Sequence, residues 1–294
     1  MSTHTETTAA KSEIGSIVIS PVAASIGAEV QGIDLSTALD DRTFEVIHNA
    51  LLEHQVLFFR DQSLDVEEHL ALAGRFGEPA YSKKLPMYDG RENVSLLDND
   101  GTQTAIGAAW HTDNTDFANP PWGSLLYAES VPSVGGDTMW CSMTAAFAAL
   151  STGMQQHLRT LTALHDNARV RQMYASGGGL RAEGAVVEEP VKHPVIRQHP
   201  ETGRPGIFVN SAYTTRIVGI PEIESRHLLS MLHEHVMRPE FQVRFRWTAG
   251  AMAIWDNRST QHYALDDYTE RRRMRRVQIV GDVPTGVATR SNGD

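Results

Sequence analysis

The sequence contains a single cysteine, Cys141, among its 294 residues. One thiol cannot form an intramolecular disulfide or a thiolate metal cluster, so any bound metal must be held by histidine and carboxylate side chains. Basic residues are also in the minority, with 26 Lys and Arg against 36 Asp and Glu and a formal net charge of −10. This charge argues against binding to nucleic acid or to an anionic membrane, and it favours a small-molecule enzyme.

The sequence lacks any apolar run of the roughly 20 residues that a membrane-spanning helix needs, and its first residues lack the apolar core of a signal peptide. We therefore expect residues 1–15 to form a disordered tail of a cytoplasmic protein. Internal repeats and Pro/Ser-rich linkers are missing as well. We expect a single domain over residues 16–284, followed by a C-terminal tail over residues 285–294.

Hydrophobic periodicity predicts many short strands interrupted by helices. The expected helices are Asp41–His54, Asp65–Phe76 with Asp65 as its N-cap, Thr144–Leu164 and Pro221–His235. A segment near 167–190 is rich in glycine and charge, which is typical of a lid over a binding site or of a disordered loop. Mainly β structure with helical inserts, arranged as a β-sandwich, is therefore predicted. The expected strands are Ser16–Val22, Ala28–Ile33, Gln55–Arg60, Ser124–Glu129, Gly206–Asn210, Phe241–Trp247, Ala251–Trp255 and Arg272–Val280.

Two histidines and an aspartate are the candidate metal ligands. In Trp110-His111-Thr112-Asp113 the His and Asp are two residues apart, and on a strand they would point to the same face. Such a pair also arises by chance, as a solvated pair. A second segment, Trp255-Asp256-Asn257-Arg258, leads to His262. Two His and one carboxylate from distant segments form a facial triad for non-haem Fe(II), whereas a structural zinc would require four ligands.

An arginine-rich run follows His262 at Arg271–Arg276. The three positions that a facial triad leaves open suit a bidentate 2-oxo acid and O2, and the far carboxylate of such an acid needs a cation. On a strand, Arg272, Met274 and Arg276 share one face, so two guanidinium groups could hold two different anions. An exposed basic strand edge is the alternative interpretation.

Together these motifs resemble the taurine dioxygenase and 2,4-dichlorophenoxyacetate dioxygenase (TauD/TfdA) family from about Ile17 to Pro284. The resemblance implies a double-stranded β-helix, that is, a jelly roll like that of the cupins. The matching stretches are Arg75-Phe76-Gly77-Glu78, Trp110-His111-Thr112-Asp113, Gly135-Gly136-Asp137-Thr138, His193-Pro194-Val195, Thr214-Thr215-Arg216-Ile217, Trp255-Asp256-Asn257-Arg258 and Gly281-Asp282.

The resemblance also implies roles for individual residues. His111, Asp113 and His262 would be the iron ligands, and Thr138 would hydrogen-bond the 2-oxoglutarate carboxylate nearest the metal. The family spaces a cosubstrate Arg and a substrate Arg as Arg-x-x-x-Arg. Counting back from Gly281-Asp282 selects Arg272 for 2-oxoglutarate and Arg276 for the substrate, whereas counting forward from His262 selects Arg273 for 2-oxoglutarate. A carboxylate at position 113 implies hydroxylation rather than halogenation.

Several positions depart from the taurine oxygenases. Ser82 and Leu85 stand where those enzymes carry a His and a Tyr that contact the substrate, and Gly107 replaces an Asn. Arg171 replaces a pocket Phe, and Tyr213 lies where another aromatic residue is found. We therefore do not expect taurine to be the substrate. Extra cations near the expected lid favour an anionic substrate, although ordinary solvated charges would look the same; they are Lys83, Lys84, Arg171 and Arg181.

The sequence thus predicts a dioxygenase that uses Fe(II), 2-oxoglutarate and O2 to hydroxylate a small anionic substrate, such as a sulfonate, sulfate ester or aryloxyalkanoate. Hydroxylation next to an ester oxygen would release an aldehyde. Alternatives are a biosynthetic substrate such as an amino-acid derivative or nucleoside phosphate, a zinc hydrolase, and a binding protein that has lost its chemistry. The family resemblance also implies a homo-oligomer, either a dimer or a tetramer.

Overall fold

The computed structural model describes residues 12–14, 16–81, 84–102, 105–174 and 189–287. The helices are α1 (Asp41–His54), α2 (Val66–Phe76), α3 (Met143–Ala148), α4 (Thr152–Leu158), α5 (Ala168–Tyr174) and α6 (Glu222–Val236). The strands are β1 (Ser12–Ile14), β2 (Ile17–Pro21), β3 (Ala28–Gln31), β4 (Val56–Phe59), β5 (Met87–Tyr88), β6 (Arg91–Asn99), β7 (Gly123–Ser130), β8 (Thr138–Ser142), β9 (Thr162–His165), β10 (Val191–Pro194), β11 (Ile196–Gln198), β12 (Pro205–Ile207), β13 (Thr214–Ile217), β14 (Gln242–Phe245), β15 (Met252–Asp256), β16 (Thr260–Ala264) and β17 (Arg272–Ile279).

Two sheets form the jelly roll. Within the described ranges, the larger sheet has nine strands in the order β1-β2-β3-β4-β15-β7-β17-β6-β5. The smaller sheet has the order β14-β8-β16 and is antiparallel throughout. The helices and two short sheets, β10-β9-β13 and β11-β12, are inserted in the sequence between the strands of the two main sheets. The mainly β fold with helical inserts agrees with the prediction from sequence.

The central strands of the large sheet are buried on both faces. In β4, for example, Leu57 and Phe59 belong to the core beneath the helices, whereas Phe58 belongs to the core between the two sheets. Successive side chains of a strand point to opposite faces, so a strand that is covered on both sides must be apolar at every position. The uninterrupted run Val56-Leu57-Phe58-Phe59 therefore identified a central strand.

The helices α1 and α2 cover the outer face of the large sheet. Each helix begins at a capped N-terminus. At α1, Asp40 accepts a hydrogen bond from the Thr43 amide at 2.7 Å. At α2, Asp65 and Glu68 form a reciprocal capping box with distances of 2.8 and 2.7 Å. The predicted N-cap at Asp65 is confirmed. None of the helices in the described part of the chain is both long enough and apolar enough to cross a membrane.

The predicted helix over Thr144–Leu164 is wrong. The segment forms α3 and α4, followed by strand β9. The side chain of Ser151 accepts a hydrogen bond from the Met154 amide at 3.4 Å, and this cap starts a second helix where a single one was expected. Likewise, the strand expected over Gly206–Asn210 is β12, which ends at Ile207.

Parts of the expected tails and lid can be placed. Residues 12–14 of the expected N-terminal tail pair with β2 as strand β1. Gly286 in the expected C-terminal tail forms a bridge with Arg197. In the expected lid, α5 covers residues 168–174. Residues 1–11, 15, 175–188 and 288–294 lie outside the described residues.

Candidate active site

The backbone brings the two candidate metal-binding histidines together. His262 lies in the middle of β16, and His111 forms a single antiparallel bridge with it. The His111 amide donates to the His262 carbonyl at 3.1 Å, and the His262 amide donates to the His111 carbonyl at 2.8 Å. After this bridge the chain turns, so Asp113 reaches the same place from a turn and not from the continuous strand that the sequence suggested.

The three side chains converge at a buried point. The Asp113 Oδ1 atom lies 3.6 Å from His111 Nε2 and 3.8 Å from His262 Nε2. One candidate ligand atom from each residue lies within 4.8 Å of the others. The Nδ1 atom of His111 is 2.7 Å from the Ala109 carbonyl, which fixes the ring so that Nε2 faces Asp113. The structure thus brings together the three residues that the sequence predicted as metal ligands.

The protonation states of Asp113 and His262 suit metal binding. Burial lowers the pKa of His262 well below its ordinary value, and the nearby His111 and Arg276 lower it further. Burial would raise the pKa of Asp113, but the Arg276 guanidinium and the two histidines outweigh it and hold this pKa well below its usual range. A neutral imidazole and a carboxylate are the forms that coordinate a cation.

Two arginines of β17 face the triad, as strand alternation predicts. Arg276 Nη1 lies 2.9 Å from Asp113 Oδ1. Arg272 donates from Nε to the Gly136 carbonyl at 3.0 Å and from Nη2 to Thr138 Oγ1 at 3.4 Å. Its pKa is lowered by burial to about 10, so it remains charged at neutral pH. Arg273 points to the opposite face, where it contacts Glu129 and Asp98 at 2.8 and 2.9 Å.

The cavity around the triad combines these polar groups with apolar walls. Of the predicted substrate residues, Leu85, Tyr213 and Arg276 line it. From α5, Val170 lines the cavity, whereas Arg171 is not among the lining residues in the described part of the chain. Ser82 lies outside the described residues. The apolar lining is formed by Leu85, Leu97, Ile106, Ala109, Leu126, Val170, Ala212, Tyr213, Trp255 and Ala264.

Comparisons with known proteins identify the family of the chain. The family model described as taurine catabolism dioxygenase TauD, TfdA family matches residues 19–278. The chain is 40% identical over 280 residues to an alpha-ketoglutarate-dependent sulfate ester dioxygenase of Pseudomonas putida, across 92% of this chain and 91% of that protein. It is 38% identical to an alkylsulfatase of Acinetobacter baylyi, across 89% and 84% of the two chains. A crystal structure of a taurine dioxygenase from Burkholderia xenovorans matches with a TM-score of 0.79 and 38% identity, across 92% and 93% of the two chains. The chain belongs to the TauD/TfdA family.

This TauD/TfdA protein is an Fe(II)- and 2-oxoglutarate-dependent dioxygenase, alpha-ketoglutarate being another name for 2-oxoglutarate. Its donor set fits iron, because two imidazoles and one carboxylate on one side of an ion leave positions free for a bidentate acid and O2. The three donors are buried and lie close together, which also fits a preformed metal site.

Sequence reasoning missed three features of the TauD/TfdA site. The side chain of Asn257 holds the backbone of Asp113 at both its amide and its carbonyl. Lys84, one of the extra cations expected near the lid, is a buried cavity residue paired with Asp116, and the sequence did not predict this pairing. At Gly107, φ is +88° and an added Cβ would lie 3.2 Å from His111 Cε1, so a side chain at this position would be strained and would crowd the ligand ring. Of the three, only the role of Asn257 had a signal in the sequence, because this residue belongs to the motif Trp255-Asp256-Asn257-Arg258.

Proposed function

We propose that this dioxygenase hydroxylates the carbon that bears the ester oxygen of a small organic sulfate monoester. The observation that carries the proposal is the position of Arg276, a guanidinium next to the metal ligand Asp113 in an otherwise largely apolar cavity. A sulfate oxygen anion matches the donor geometry of a guanidinium, and an alkyl group matches the apolar walls. The relatives named as a sulfate ester dioxygenase and an alkylsulfatase support the same class.

Arg272 and Thr138 are the proposed 2-oxoglutarate residues. Thr138 Oγ1 accepts hydrogen bonds from Trp247 Nε1 at 2.9 Å and from Arg272 Nη2 at 3.4 Å. A hydroxyl has two acceptor positions and one donor, so the remaining role of Thr138 is to donate its proton. A carboxylate in the cavity is a suitable acceptor, and Arg272 supplies the positive charge for the other end of the cosubstrate. The location of Arg273 on the opposite face favours Arg272 over it.

Iron bound to His111, Asp113 and His262 supplies the oxidising chemistry, in which O2 and 2-oxoglutarate are consumed and succinate and CO2 are formed. The protein residues place the target carbon and limit access of water. Insertion of one oxygen atom at the ester carbon gives a hemiacetal-like sulfate. This product collapses as its C–O bond to sulfate breaks and the hydroxyl proton leaves, so that an aldehyde and inorganic sulfate are released.

The test measures products of the iron-loaded enzyme with 2-oxoglutarate and O2. Hexyl sulfate, hexanesulfonate and a phenoxyacetate are compared, and succinate, hexanal and free sulfate are quantified. We expect equal amounts of the three products with hexyl sulfate, and none with the Asp113→Ala variant because a ligand is missing. Preferred turnover of the sulfonate or phenoxyacetate would replace the sulfate-ester assignment. Sulfate release without O2 or 2-oxoglutarate would instead establish a hydrolase.

A further inference from the structure

A lysine in the wall of the active-site cavity forms a buried ion pair with Asp116. Lys84 Nζ is 2.6 Å from Asp116 Oδ1 and 2.7 Å from Oδ2, and the side chains of the two residues are 10% and 1% exposed. The ammonium also lies 4.7 Å from the Phe117 ring centroid and 4.8 Å from that of Tyr213. At these distances Asp116 compensates the charge of the buried ammonium group.

The pair is close to the reacting groups in both sequence and space. Asp116 follows the metal ligand Asp113 by three positions, and Lys84 lines the same cavity as Arg276 and the triad. Because Asp116 cancels the charge of Lys84, the pair adds no net charge to the cavity wall. Arg276 is then the cation offered to the substrate anion, while Arg272 is assigned to 2-oxoglutarate.

We propose that Asp116, by neutralising Lys84, sets the charge of the substrate that this enzyme accepts. The proposal rests on the proposed function and deepens it. With a neutral pair in the wall, the cavity accepts a monoanion such as an organic sulfate, and it disfavours a dianion such as a phosphate monoester of similar size. Charge, and not only size, then separates the two ester classes, because the charge on the ligand multiplies every electrostatic interaction with the wall.

A purely structural role for the pair makes a different prediction. If Lys84 and Asp116 only fasten the segment after Asp113 to the cavity wall, removing either residue should weaken the binding of every ligand. A role in charge selection instead predicts effects of opposite sign for the two single variants. In Asp116→Asn, a bound anion replaces Asp116 as the compensating charge for Lys84, which favours anion binding. In Lys84→Met, a bound anion faces Asp116 without its lysine, which disfavours anion binding, and the double variant has neither group.

The experiment measures anaerobic binding of hexyl sulfate and of hexyl phosphate to the Fe(II)- and 2-oxoglutarate-loaded enzyme by calorimetry. At pH 8 the phosphate monoester is a dianion, since its second pKa is about 6. We expect Asp116→Asn to tighten hexyl sulfate binding about fivefold and hexyl phosphate binding by about the square of that factor. Lys84→Met should weaken both in the same proportions. The double variant should return the ratio of the two dissociation constants to that of the wild type.

Single variants that both weaken binding, or a double variant weaker than either single one, would overturn the proposal in favour of a structural role. Absence of binding of both anions to all four proteins would overturn it too. The 2-oxoglutarate dissociation constant and the thermal midpoint identify any variant that has lost its fold. Because binding is measured without O2, hexyl sulfate that binds with the expected charge dependence but releases no sulfate in air would refute the proposed function and leave the charge selection standing.

Discussion

At the scale of single residues, Asn257 determines where the carboxylate ligand sits. Its side-chain carbonyl accepts a hydrogen bond from the Asp113 amide at 3.0 Å. Its amide group donates to the carbonyls of Asp113 at 3.2 Å and of Pro121 at 2.8 Å. Asp113 lies in a turn, where no strand neighbours fix its backbone, so this one buried side chain takes over that role.

We expect Asn257→Asp to lower the affinity for Mn(II) or Fe(II) about 10- to 100-fold, the usual effect of losing a group that orients a ligand. The new carboxylate cannot donate to the two carbonyls and repels them, which displaces Asp113. Anaerobic calorimetry with Mn(II) measures the effect without any turnover.

Gln62 provides a matched control for this measurement. Its side chain has the same bonding pattern, accepting from the Leu35 amide at 2.8 Å and donating to the carbonyls of Ile33 and Arg60 at 3.2 and 2.8 Å. It does not line the cavity. Gln62→Glu should therefore reduce thermal stability while leaving the metal affinity unchanged. Equal losses of affinity in both variants would show that Asn257 acts only through general stability.

Single residues differ in how far the sequence could predict their roles. His111, Asp113 and His262 were predictable because a metal site restricts the side-chain types and the motifs limit the spacing. The role of Lys84 was not predictable, because a lysine paired with a carboxylate 32 positions away looks the same in sequence as a solvated one. Its burial depends on how the chain packs around Phe117 and Tyr213.

At the scale of elements, strand β17 separates neighbouring arginines by their faces. Arg272 and Arg276 point into the cavity, whereas Arg273 and Arg275 both contact Glu129 on the other side. The two-residue period of a strand predicted this separation once the run was assigned as a strand. The choice between Arg272 and Arg273 required the register, because a one-residue shift exchanges the two faces.

Substituting these neighbours should have very different effects. We expect Arg272→Gln to raise KM for 2-oxoglutarate at least about 100-fold, since a buried charge-assisted contact to a carboxylate is lost. Arg273→Gln should change it less than about twofold, because this side chain faces away from the cavity. Succinate formation at varied 2-oxoglutarate concentration measures both. A larger effect of Arg273→Gln would assign the cosubstrate to the other arginine.

Helices and strands were predictable from the sequence where short-range sequence signals define them. The start of α2 was predictable because Asp65 and Glu68 form a capping box within four residues. The division of Thr144–Leu164 was not, because β9 is a strand owing to its pairing with β10 and β13, whose partner residues are distant in sequence. Local periodicity carries no information about such partners.

At the scale of the whole molecule, buried neutral histidines link folding stability to pH. Burial, followed by the charge of Arg275, lowers the pKa of His69 to about 3. Burial, followed by the charge of His193, lowers the pKa of His165 to about 3. Both would have a pKa near 6.5 in the unfolded chain. Between these values the unfolded state binds more protons than the folded state, so stability decreases as pH falls through 6.5 towards 3.

We expect the free energy of unfolding to drop by about 2 kcal/mol for each of these two histidines between pH 7 and pH 5. Urea denaturation at the two pH values measures the drop. His165→Gln should remove about half of the drop in unfolding free energy that His69 and His165 cause together. Substitution of the exposed His157 by Gln should leave the drop unchanged. An unchanged drop in His165→Gln would show that other groups cause it.

The bridge between His111 and His262 has a consequence for how the enzyme matures. Its two backbone hydrogen bonds join two segments that are separated in sequence by about half of the chain. We expect contacts of such long sequence separation to form late in folding, because a large loop must close first. A nascent or half-folded chain therefore offers iron no complete site. We therefore expect protein that has folded without iron to take up the metal through the active-site cavity, and to be reloaded after metal loss without unfolding.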